Sequence, residues 1–461
     1  MAVATDSSSI LIDSAERDNQ RGKDSRHSLP AKSRHKDRFE PPALATLDDA
    51  GVPGALIEQL ILKFLYFNGD LMASDLCRLM GVKFSLIEQM IEALKLQLIV
   101  QVKSSLGYGP VSAVLALTEG GRRVARDYLE NNQYVGPVPV PIAQYTAAVC
   151  AQRMPSDWLT RERLAAAYSK LVMTDGTLDQ IGPAIGSGKS FLIYGQPGNG
   201  KTQIAESLAN ISTSDIYIPY AIEAQGNIVR LFDPIYHKLS STSTDSVYDP
   251  ETDGRWARCK RPFIATGGEL SLEMLDLSFN RVSRIYDAPF QLKANNGIYL
   301  IDDFGRQKAT SAEILNRWIV PMERRIDYLS FENGGKMTVP FETFLVFSTN
   351  LRPDQLGDEA FLRRIQYKML LRSPDEKEFR TIFCKFAESQ GLSVPSDLLD
   401  RFIQRHYTMT GKKFRRCHPR DLISQCVDYI HFKRQTFELT DELLDSAFAS
   451  CFPVLTELSE T

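Results

Sequence analysis

The segment GQPGNGKT at residues 195–202 is the stretch of this sequence that decides the fold. The apolar run SFLIY precedes it and the run QIAESLAN follows it, which gives the order strand, glycine-rich loop and helix. Backbone amides in such a loop point together at the positive end of the helix, so the segment predicts a binding site for nucleotide phosphates. The predicted cofactor-binding residues of the loop are Gly195, Gln196, Pro197, Gly198, Asn199, Gly200, Lys201 and Thr202.

Two side chains of this loop are expected to carry its chemistry. Lys201 is predicted to reach the β- and γ-phosphates as a point charge, and the Thr202 hydroxyl is predicted to bind Mg²⁺. The nearby segment GSGKS at 186–190 has a similar ending, but Pro183 stands where the first glycine belongs and a strand rather than a helix follows. We therefore expect residues 186–190 to form a turn and not a phosphate site.

A second motif places two carboxylates at the end of an apolar strand. The run IYLI at 298–301 is followed directly by Asp302 and Asp303. In a parallel sheet this strand can lie beside the strand of the phosphate loop and present both acids at the carboxyl edge. Asp302 is then expected to hold Mg²⁺, mostly through water, and Asp303 to orient and deprotonate the attacking water. An ordinary strand that ends in an acidic turn is the alternative.

The order of these motifs through residues 156–461 resembles the AAA+ ATPases. The resemblance implies an α/β fold, with a P-loop parallel sheet sandwiched by helices and an α-helical C-terminal lid. It also implies ATP and Mg²⁺ as cofactors and ATP hydrolysis as the reaction. Asn350, at the end of FLVFSTN, matches the first sensor, which positions the attacking water.

Two arginines match the parts of AAA+ proteins that contact the γ-phosphate. Arg364, with Arg363 as the next best match, resembles the arginine finger, which reaches the nucleotide of a neighbouring subunit. A permanent charge with a fork geometry suits that role. Arg420 matches the second sensor, which contacts the γ-phosphate of its own subunit from the lid. The alternative for Arg420 is a surface arginine in the basic run KKFRRCHPR at 412–420.

The segment between the phosphate loop and the acidic pair is longer than a minimal sheet requires. PFQLKANNGIYLIDD at 289–303 resembles MoxR-type ATPases and bacterial sigma-factor activators, where such insertions touch the client protein. The resemblance places client contact near residues 279–286. Most AAA+ members have Glu at the second position of the acidic pair, whereas Asp303 resembles the DnaA and DnaC type. Its shorter side chain predicts hydrolysis that is slow or conditional on assembly.

Residues 44–131 resemble a winged helix-turn-helix domain, and the composition of residues 1–43 predicts a disordered tail. The apolar spacing predicts three short helices, of which the first two end at Gly69 and Gly81, followed by two strands. The segment SLIE at 85–88 predicts a capping box for the third helix.

The third helix of such domains usually enters the DNA major groove. Here it offers Glu88, Gln89 and Glu92, and its basic residue is Lys95. A duplex-binding surface normally needs several Lys or Arg contacts to phosphates. Nucleic-acid binding is therefore possible but not favoured, and docking to a protein is the preferred interpretation.

The remaining segments are predicted to be a linker and a lid. The alternating Pro and Val of NQYVGPVPVPI predict extended chain, so residues 132–155 are expected to link the N-terminal domain to the nucleotide domain at 156–372. Residues 373–461 are expected to form the helical lid. Its predicted helix starts are a capping box with proline at SPDE (373–376), a cap at Ser396, His418–Pro419 and a cap at Thr440. Lys412, Lys413, Arg415 and Arg416 are expected to be solvated.

Composition excludes several classes of protein. The net charge of −3 gives no global basic field for nucleic acid or an anionic membrane, and no apolar run approaches the roughly 20 residues of a membrane span. The seven cysteines lack CxxC spacing, so neither a disulfide framework nor a zinc site is indicated. These features, and an N-terminus without signal-peptide character, predict a cytoplasmic location. The low-complexity stretch at 239–254 predicts a solvated loop.

Two functions from different classes follow from this sequence. The first is an energy-coupled remodeller, in which a homo-oligomeric ring, most simply a hexamer, hydrolyses ATP and acts on a protein client. The second is a nucleotide-gated adaptor or DNA-binding switch with little turnover. The sequence does not identify the client.

Overall fold

The computed structural model describes residues 39–105, 107, 109–155, 158–211, 214–240, 252–357 and 359–452. Most of the predicted tail at 1–43 and of the low-complexity stretch at 239–254 lies outside the described residues. The end of the predicted tail is packed, because Pro42 forms a bridge with Thr252 and the ring centroid of Phe39 lies 6.1 Å from that of Trp256. No helix among the described residues has the length and apolar character that crossing a membrane requires.

The described residues of the N-terminal part form four α-helices and three short strands. They are α1 (Gly54–Asn68), β1 (Leu71–Met72), α2 (Ala73–Met80), α3 (Phe84–Leu96), β2 (Val100–Ser105), β3 (Ala113–Leu117) and α4 (Glu119–Asn131). The strands form an antiparallel sheet in the order β1–β3–β2. Gly69 and Gly81 end α1 and α2 as predicted. The predicted capping box at 85–88 is wrong, because α3 already begins at Phe84 and Ser85 lies inside the helix.

The central part holds most of the strands. Up to the phosphate loop its elements are β4 (Val140–Pro141), α5 (Ile142–Ala151), α6 (Arg161–Ala167), α7 (Asp175–Ser187) and β5 (Ser190–Tyr194). The next are α8 (Lys201–Ser207), β6 (Asp215–Pro219), β7 (Ala221–Ala224), β8 (Asn227–Arg230), β9 (Trp256–Lys260), β10 (Phe263–Thr266), β11 (Ser278–Asn280), β12 (Ile285–Asp287) and α9 (Phe290–Lys293). The last are β13 (Ile298–Ile301), α10 (Ser311–Arg317), α11 (Ile319–Arg324), β14 (Ile326–Ser330), β15 (Lys336–Pro340), β16 (Phe344–Thr349), α12 (Pro353–Leu356), α13 (Glu359–Leu362) and β17 (Tyr367–Leu370).

Five strands form a parallel sheet in the order β10–β13–β16–β5–β17. Alternate side chains of a strand point to opposite faces, and two apolar clusters follow this alternation. One cluster contains Ile301 and Phe347 with residues of α10, and the other contains Leu300 and Val346 with residues of α6, α7 and α8. Burial on both faces explains why these strands are continuous apolar runs. The predicted α/β class, with a parallel sheet between helices, is confirmed.

A second, mixed sheet has the strand order β11–β12–β8–β7–β4. Its edge strand β4 and the helix α5 lie within residues 132–155, so part of the segment predicted to be a Pro-rich linker belongs to the folded body. The extended conformation of the Pro–Val alternation pairs β4 with β7. Val138 and Val140 are buried, and the Tyr145 hydroxyl accepts a hydrogen bond from Asn295 Nδ2 at 2.8 Å. Apolar burial therefore fixes the segment to the body.

The C-terminal part consists of helices around one aromatic core. They are α14 (Glu376–Ser389), α15 (Ser396–Ile403), a π-helical turn (Gln404–Thr408), α16 (His418–Lys433) and α17 (Asp441–Cys451). The predicted starts of α16 at His418 and of α17 with a Thr440 cap are confirmed. Two caps differ from the prediction. Asp375, not Ser373, caps α14 in a box with Glu378, and Pro395 precedes α15, so Ser396 is its first residue.

Candidate functional site

The phosphate loop connects the carboxyl end of β5, which lies between β16 and β17 in the parallel sheet, to α8. All three of its glycines are required by geometry, and a Cβ on Gly198 would lie 2.6 Å from Cys417 Sγ. Gly200 has φ 83°, in the left-handed region, and a Cβ on Gly195 would lie 2.4 Å from the carbonyl oxygen of Leu371. Asn199 is fully buried, and its Nδ2 donates to Ser373 Oγ at 3.3 Å. The loop is thus fixed to the chain that leads into the C-terminal helices.

Lys201 lies among oxygen acceptors at the start of α8. Its Nζ donates to the carbonyl oxygens of Gly195 at 3.1 Å and Gln196 at 3.2 Å, and to Asn350 Oδ1 at 2.6 Å. Burial lowers the pKa of Lys201, while the charges of Asp303 and Asp302 oppose that shift. Because the cation is only partly compensated by its neutral partners, an incoming anionic group would stabilise it.

The two residues predicted to hold Mg²⁺ are in direct contact. Thr202 Oγ1 donates to Asp302 Oδ2 at 2.8 Å. A hydroxyl and a carboxylate are hard oxygen ligands of the kind that Mg²⁺ binds, usually with only one or two carboxylates and with phosphates and water completing the shell. The residues present therefore fit this ion.

Asp303 lies beside this pair and faces Asn350. The Nδ2 of Asn350 donates to Asp303 Oδ1 at 2.8 Å, so one amide bridges Lys201 and Asp303. Asp303 has φ 49°, a conformation that non-glycine residues adopt at a cost. Gln307, which the sequence reasoning missed, donates from Nε2 to the carbonyl oxygens of Asp302 at 2.8 Å and Asp303 at 3.2 Å. These bonds hold the turn that presents the carboxylate.

A cleft of about 480 Å³ opens beside these groups. Its described lining includes Pro197, Gly198, Asn199, Gly200, Lys201, Thr202, Asp302, Asp303, Asn350 and Arg420. The lining also includes apolar residues that the sequence reasoning did not find, Leu171, Val172, Met173, Ile382 and Phe386, with Lys170 and Lys385 beside them in sequence. These residues come from two segments distant in sequence, so no local pattern could indicate them.

The sequence predicts that Lys412, Lys413, Arg415 and Arg416 are solvated, but Arg415 and Arg416 have tertiary partners. Arg416 donates from Nη1 to Val172 O at 2.6 Å and from Nη2 to Glu378 Oε1 at 3.0 Å. Arg415 donates to Ser373 Oγ. The backbone N–H of Cys417 donates to Gly198 O at 2.8 Å, which joins the C-terminal helices to the phosphate loop. Tertiary partners, which no local pattern reveals, leave the Arg415 and Arg416 side chains only partly exposed.

The structure separates the three predicted arginines. Arg420 lines the cleft, half-exposed, and its Nε donates to Asp421 Oδ1 at 3.0 Å. Arg364 is not among the described residues of the cleft lining, and its Nε donates to Glu323 Oε1 at 2.9 Å. Arg363 is exposed. Of these three arginines, only Arg420 is among the described residues that line the cleft within one chain.

Comparison with known proteins gives weak similarities. The family model described as Domain of unknown function (DUF8689) matches residues 375–450, well under half of the chain. No curated protein matches the chain.

Among solved structures, NtrX from Brucella abortus is similar over 64% of this chain and 59% of its own, with 13% identity and a TM-score of 0.39. NtrX in complex with ADP is similar over 73% of this chain and 62% of its own, with 13% identity and a TM-score of 0.37. A RuvB mutant from Thermotoga maritima is similar over 64% of this chain and 73% of its own, with 13% identity and a TM-score of 0.33. The match thus spans less than two thirds of the NtrX chains. At these values the similarities do not bear on function, which has to be argued from the site.

Proposed function

We propose that this protein binds ATP with Mg²⁺ in the cleft and hydrolyses it. The observation that carries the proposal is the network in which Asn350 bridges Lys201 and Asp303 while Thr202 contacts Asp302. A cation, a hydroxyl–carboxylate pair and a second carboxylate then meet at the carboxyl edge of a parallel sheet, where open α/β folds bind ligands. Their spacing fits a phosphate chain, an ion and a water.

Each residue has a definable role in the reaction. Lys201 would exchange its carbonyl and amide acceptors for the β- and γ-phosphate oxygens. Thr202 and Asp302 would hold Mg²⁺, which supplies charge neutralisation on the phosphates when bound. Asp303 would accept the proton of the attacking water, and Asn350 would fix the position of Asp303. The apolar residues of the lining, such as Met173 and Phe386, would contact the base.

The short side chain of Asp303 favours slow turnover in the isolated chain. A carboxylate one methylene shorter than Glu reaches less far, and small misplacements of a catalytic group are costly. Assembly into an oligomer would add an arginine from a neighbouring subunit. In this proposal Arg364 leaves Glu323 and acts on the nucleotide of a neighbouring subunit, so the active form is an oligomer, most simply a hexameric ring.

The N-terminal part, with its winged-helix-like order of elements, is proposed to dock a protein. The face of α3 exposes Glu88, Gln89 and Glu92, and Lys95 is paired with Glu92 at 2.8 Å. The turn before α3 packs against another segment, since a Cβ on Gly81 would lie 2.6 Å from the backbone of Gly254. An acidic surface is poorly suited to a DNA groove. A client-remodelling ATPase is the preferred function.

Turnover measurements separate this function from a nucleotide-gated switch. For the remodeller, the specific ATPase rate of the purified chain should rise steeply with protein concentration, and Asp303→Asn should abolish it while ATP still binds. Tight ATP binding with negligible turnover at every concentration would support the switch instead. Pull-down with the Asp303→Asn protein in ATP should then enrich the client, because the arrested form retains its partner.

A further inference from the structure

One buried hydroxyl of the nucleotide cleft takes no part in the network described above. Ser348, in β16, lines the cleft and is 1% exposed, and its Oγ has no hydrogen-bond partner among the residues that the structure describes. The next residue, Thr349, is also buried, but its hydroxyl donates to Phe304 O at 2.6 Å. A buried hydroxyl without a partner destabilises a fold. Ser348 is therefore arranged for a partner that the protein chain does not supply.

The register of the parallel strands shows which side of the sheet Ser348 faces. Val346, two residues earlier in β16, and Ile193, the partner of Ser348 in β5, share one apolar cluster. That cluster also contains Ile204 and Ala205 of α8. Because side chains two residues apart in a strand share a face, as do the side chains of paired residues, the Ser348 side chain points towards α8.

The groups expected to hold Mg²⁺ lie on this same side of the sheet. Phe347 of β16 pairs with Ile301 of β13, and both belong to the apolar cluster on the opposite face. The residues that follow them, Ser348 and Asp302, therefore lie on neighbouring strands and turn towards α8. Asp302 Oδ2 accepts from the hydroxyl of Thr202, in the first turn of α8. The Ser348 hydroxyl thus belongs to the same part of the cleft as the Thr202–Asp302 pair.

We propose that Ser348 is a positioning residue for the ion, and that its hydroxyl binds a water molecule of the Mg²⁺ shell. The inference rests on the proposed ATPase function. Mg²⁺ held by one or two protein ligands and by phosphates keeps several waters, whose protons need acceptors. Ser348 Oγ would accept one of these protons while Thr202 and Asp302 hold the ion. The attacking water is assigned to Asp303, which is exposed, whereas Ser348 is buried on the side of α8.

Separate control of the nucleotide and the ion tests this inference, with the full chain and the non-hydrolysable ATP analogue adenylyl imidodiphosphate. Calorimetry gives the Kd of the analogue in EDTA and over a series of Mg²⁺ concentrations. For Ser348→Ala we expect the half-saturating Mg²⁺ concentration to rise about three- to tenfold, the effect of one lost hydrogen bond, while the Kd in EDTA stays within about twofold of wild type. Without ligands, the urea midpoint of Ser348→Ala should not fall below that of wild type, because alanine removes a hydroxyl that has no partner in the chain.

Ser190→Ala is the matched control, because it removes a buried serine hydroxyl from the amino end of the adjacent strand β5. Ser190 Oγ donates to Arg364 O at 3.0 Å and accepts from the backbone N–H of Gln366 at 3.1 Å. This variant should lower the urea midpoint, since it leaves those backbone groups without their partner, and it should leave the half-saturating Mg²⁺ concentration unchanged.

The results also separate the role of Ser348 from the proposed function. A rise in the half-saturating Mg²⁺ concentration of less than about threefold in Ser348→Ala would overturn the inference. An equal loss of affinity in EDTA would overturn it as well, because the effect would then not depend on the ion. If Lys201→Ala binds the analogue like wild type, the proposed function is wrong and the inference fails with it. If Lys201→Ala does not bind while Ser348→Ala keeps the wild-type Mg²⁺ dependence, only the role of Ser348 is wrong.

Discussion

The bridging amide of Asn350 provides the most specific test of the site's geometry. Asn350→Ala removes the acceptor 2.6 Å from Lys201 Nζ and the donor 2.8 Å from Asp303 Oδ1. Hydrogen bonds to charged groups contribute about 1.5–3 kcal/mol each. In the ATP-bound state Lys201 would already have moved to the phosphates, so the loss falls mainly on Asp303. Loss of one fixed donor at a reacting centre typically costs about 2.7–4 kcal/mol, so kcat should fall about 10²- to 10³-fold.

ATP affinity should respond differently from turnover. Alanine at 350 removes an acceptor that competes with the phosphates for Lys201, so the Kd for ATP should stay the same or fall, and should not rise beyond about threefold. Single-turnover hydrolysis and equilibrium binding measured on the same preparation separate the two quantities. Turnover within about threefold of wild type would refute the role given to Asn350.

A second substitution at this position checks the role of Asp303. Asn350→Asp keeps an acceptor for Lys201 but places a carboxylate against Asp303. Two carboxylates at that distance repel each other, which raises the pKa of the pair. The hydrolysis rate of the variant should therefore begin to increase at a higher pH than that of the wild type. An unshifted pH profile with normal turnover would contradict the assignment of Asp303 as the base.

Two other perturbations test the assembly and the N-terminal core. Arg364→Ala subunits should bind ATP but hydrolyse it about 10³-fold more slowly, and mixing them with Lys201→Ala subunits should restore some activity; no recovery in confirmed mixed assemblies would show that Arg364 does not act on a neighbour. Lys63 is fully buried, with its pKa lowered to about 8 by burial, so Lys63→Met should stabilise the protein at pH 7 by about 2 kcal/mol in urea unfolding. Lys63 binds its proton more tightly in the unfolded chain, so the free energy of unfolding of the wild type should rise from about pH 8 to 10.5 and approach that of Lys63→Met. A difference between the two proteins that does not change with pH would contradict the burial argument.

The nucleotide end of the site could be predicted because its signals are local. The phosphate loop is contiguous, with a strand before it and a helix after it, and Asp302 and Asp303 follow an apolar strand. Parallel pairing then brings the ends of β5, β13 and β16 to one edge, as the structure has them. Parallel α/β sheets allow few strand orders, and in all of them the carboxyl ends of the strands lie at the same edge.

Other parts could not be predicted because their causes are tertiary. Arg416 lies in a basic run that is polar by composition, yet its partners are Val172 and Glu378, far away in sequence. Strand β4 is only two residues long, which is too short for a periodic pattern. The sequence therefore predicts a linker where β4 pairs with β7. The predicted capping box at residues 85–88 is wrong for a local reason. Helix α3 starts at Phe84, one residue before Ser85, and such shifts are common at helix ends.

The central claim is that Lys201, and not the similar lysine upstream, holds the nucleotide. Lys189 is the lysine of the segment GSGKS, whose Gly188 ends α7 before β5 begins, and it therefore provides a matched lysine outside the site. Calorimetric titration of Mg²⁺ and ATP into wild type, Lys189→Ala and Lys201→Ala measures the difference directly. We predict equal affinity for the first two proteins and a loss of about 100-fold or more for Lys201→Ala. Near-native affinity in Lys201→Ala, or an equal loss in both variants, would contradict the account.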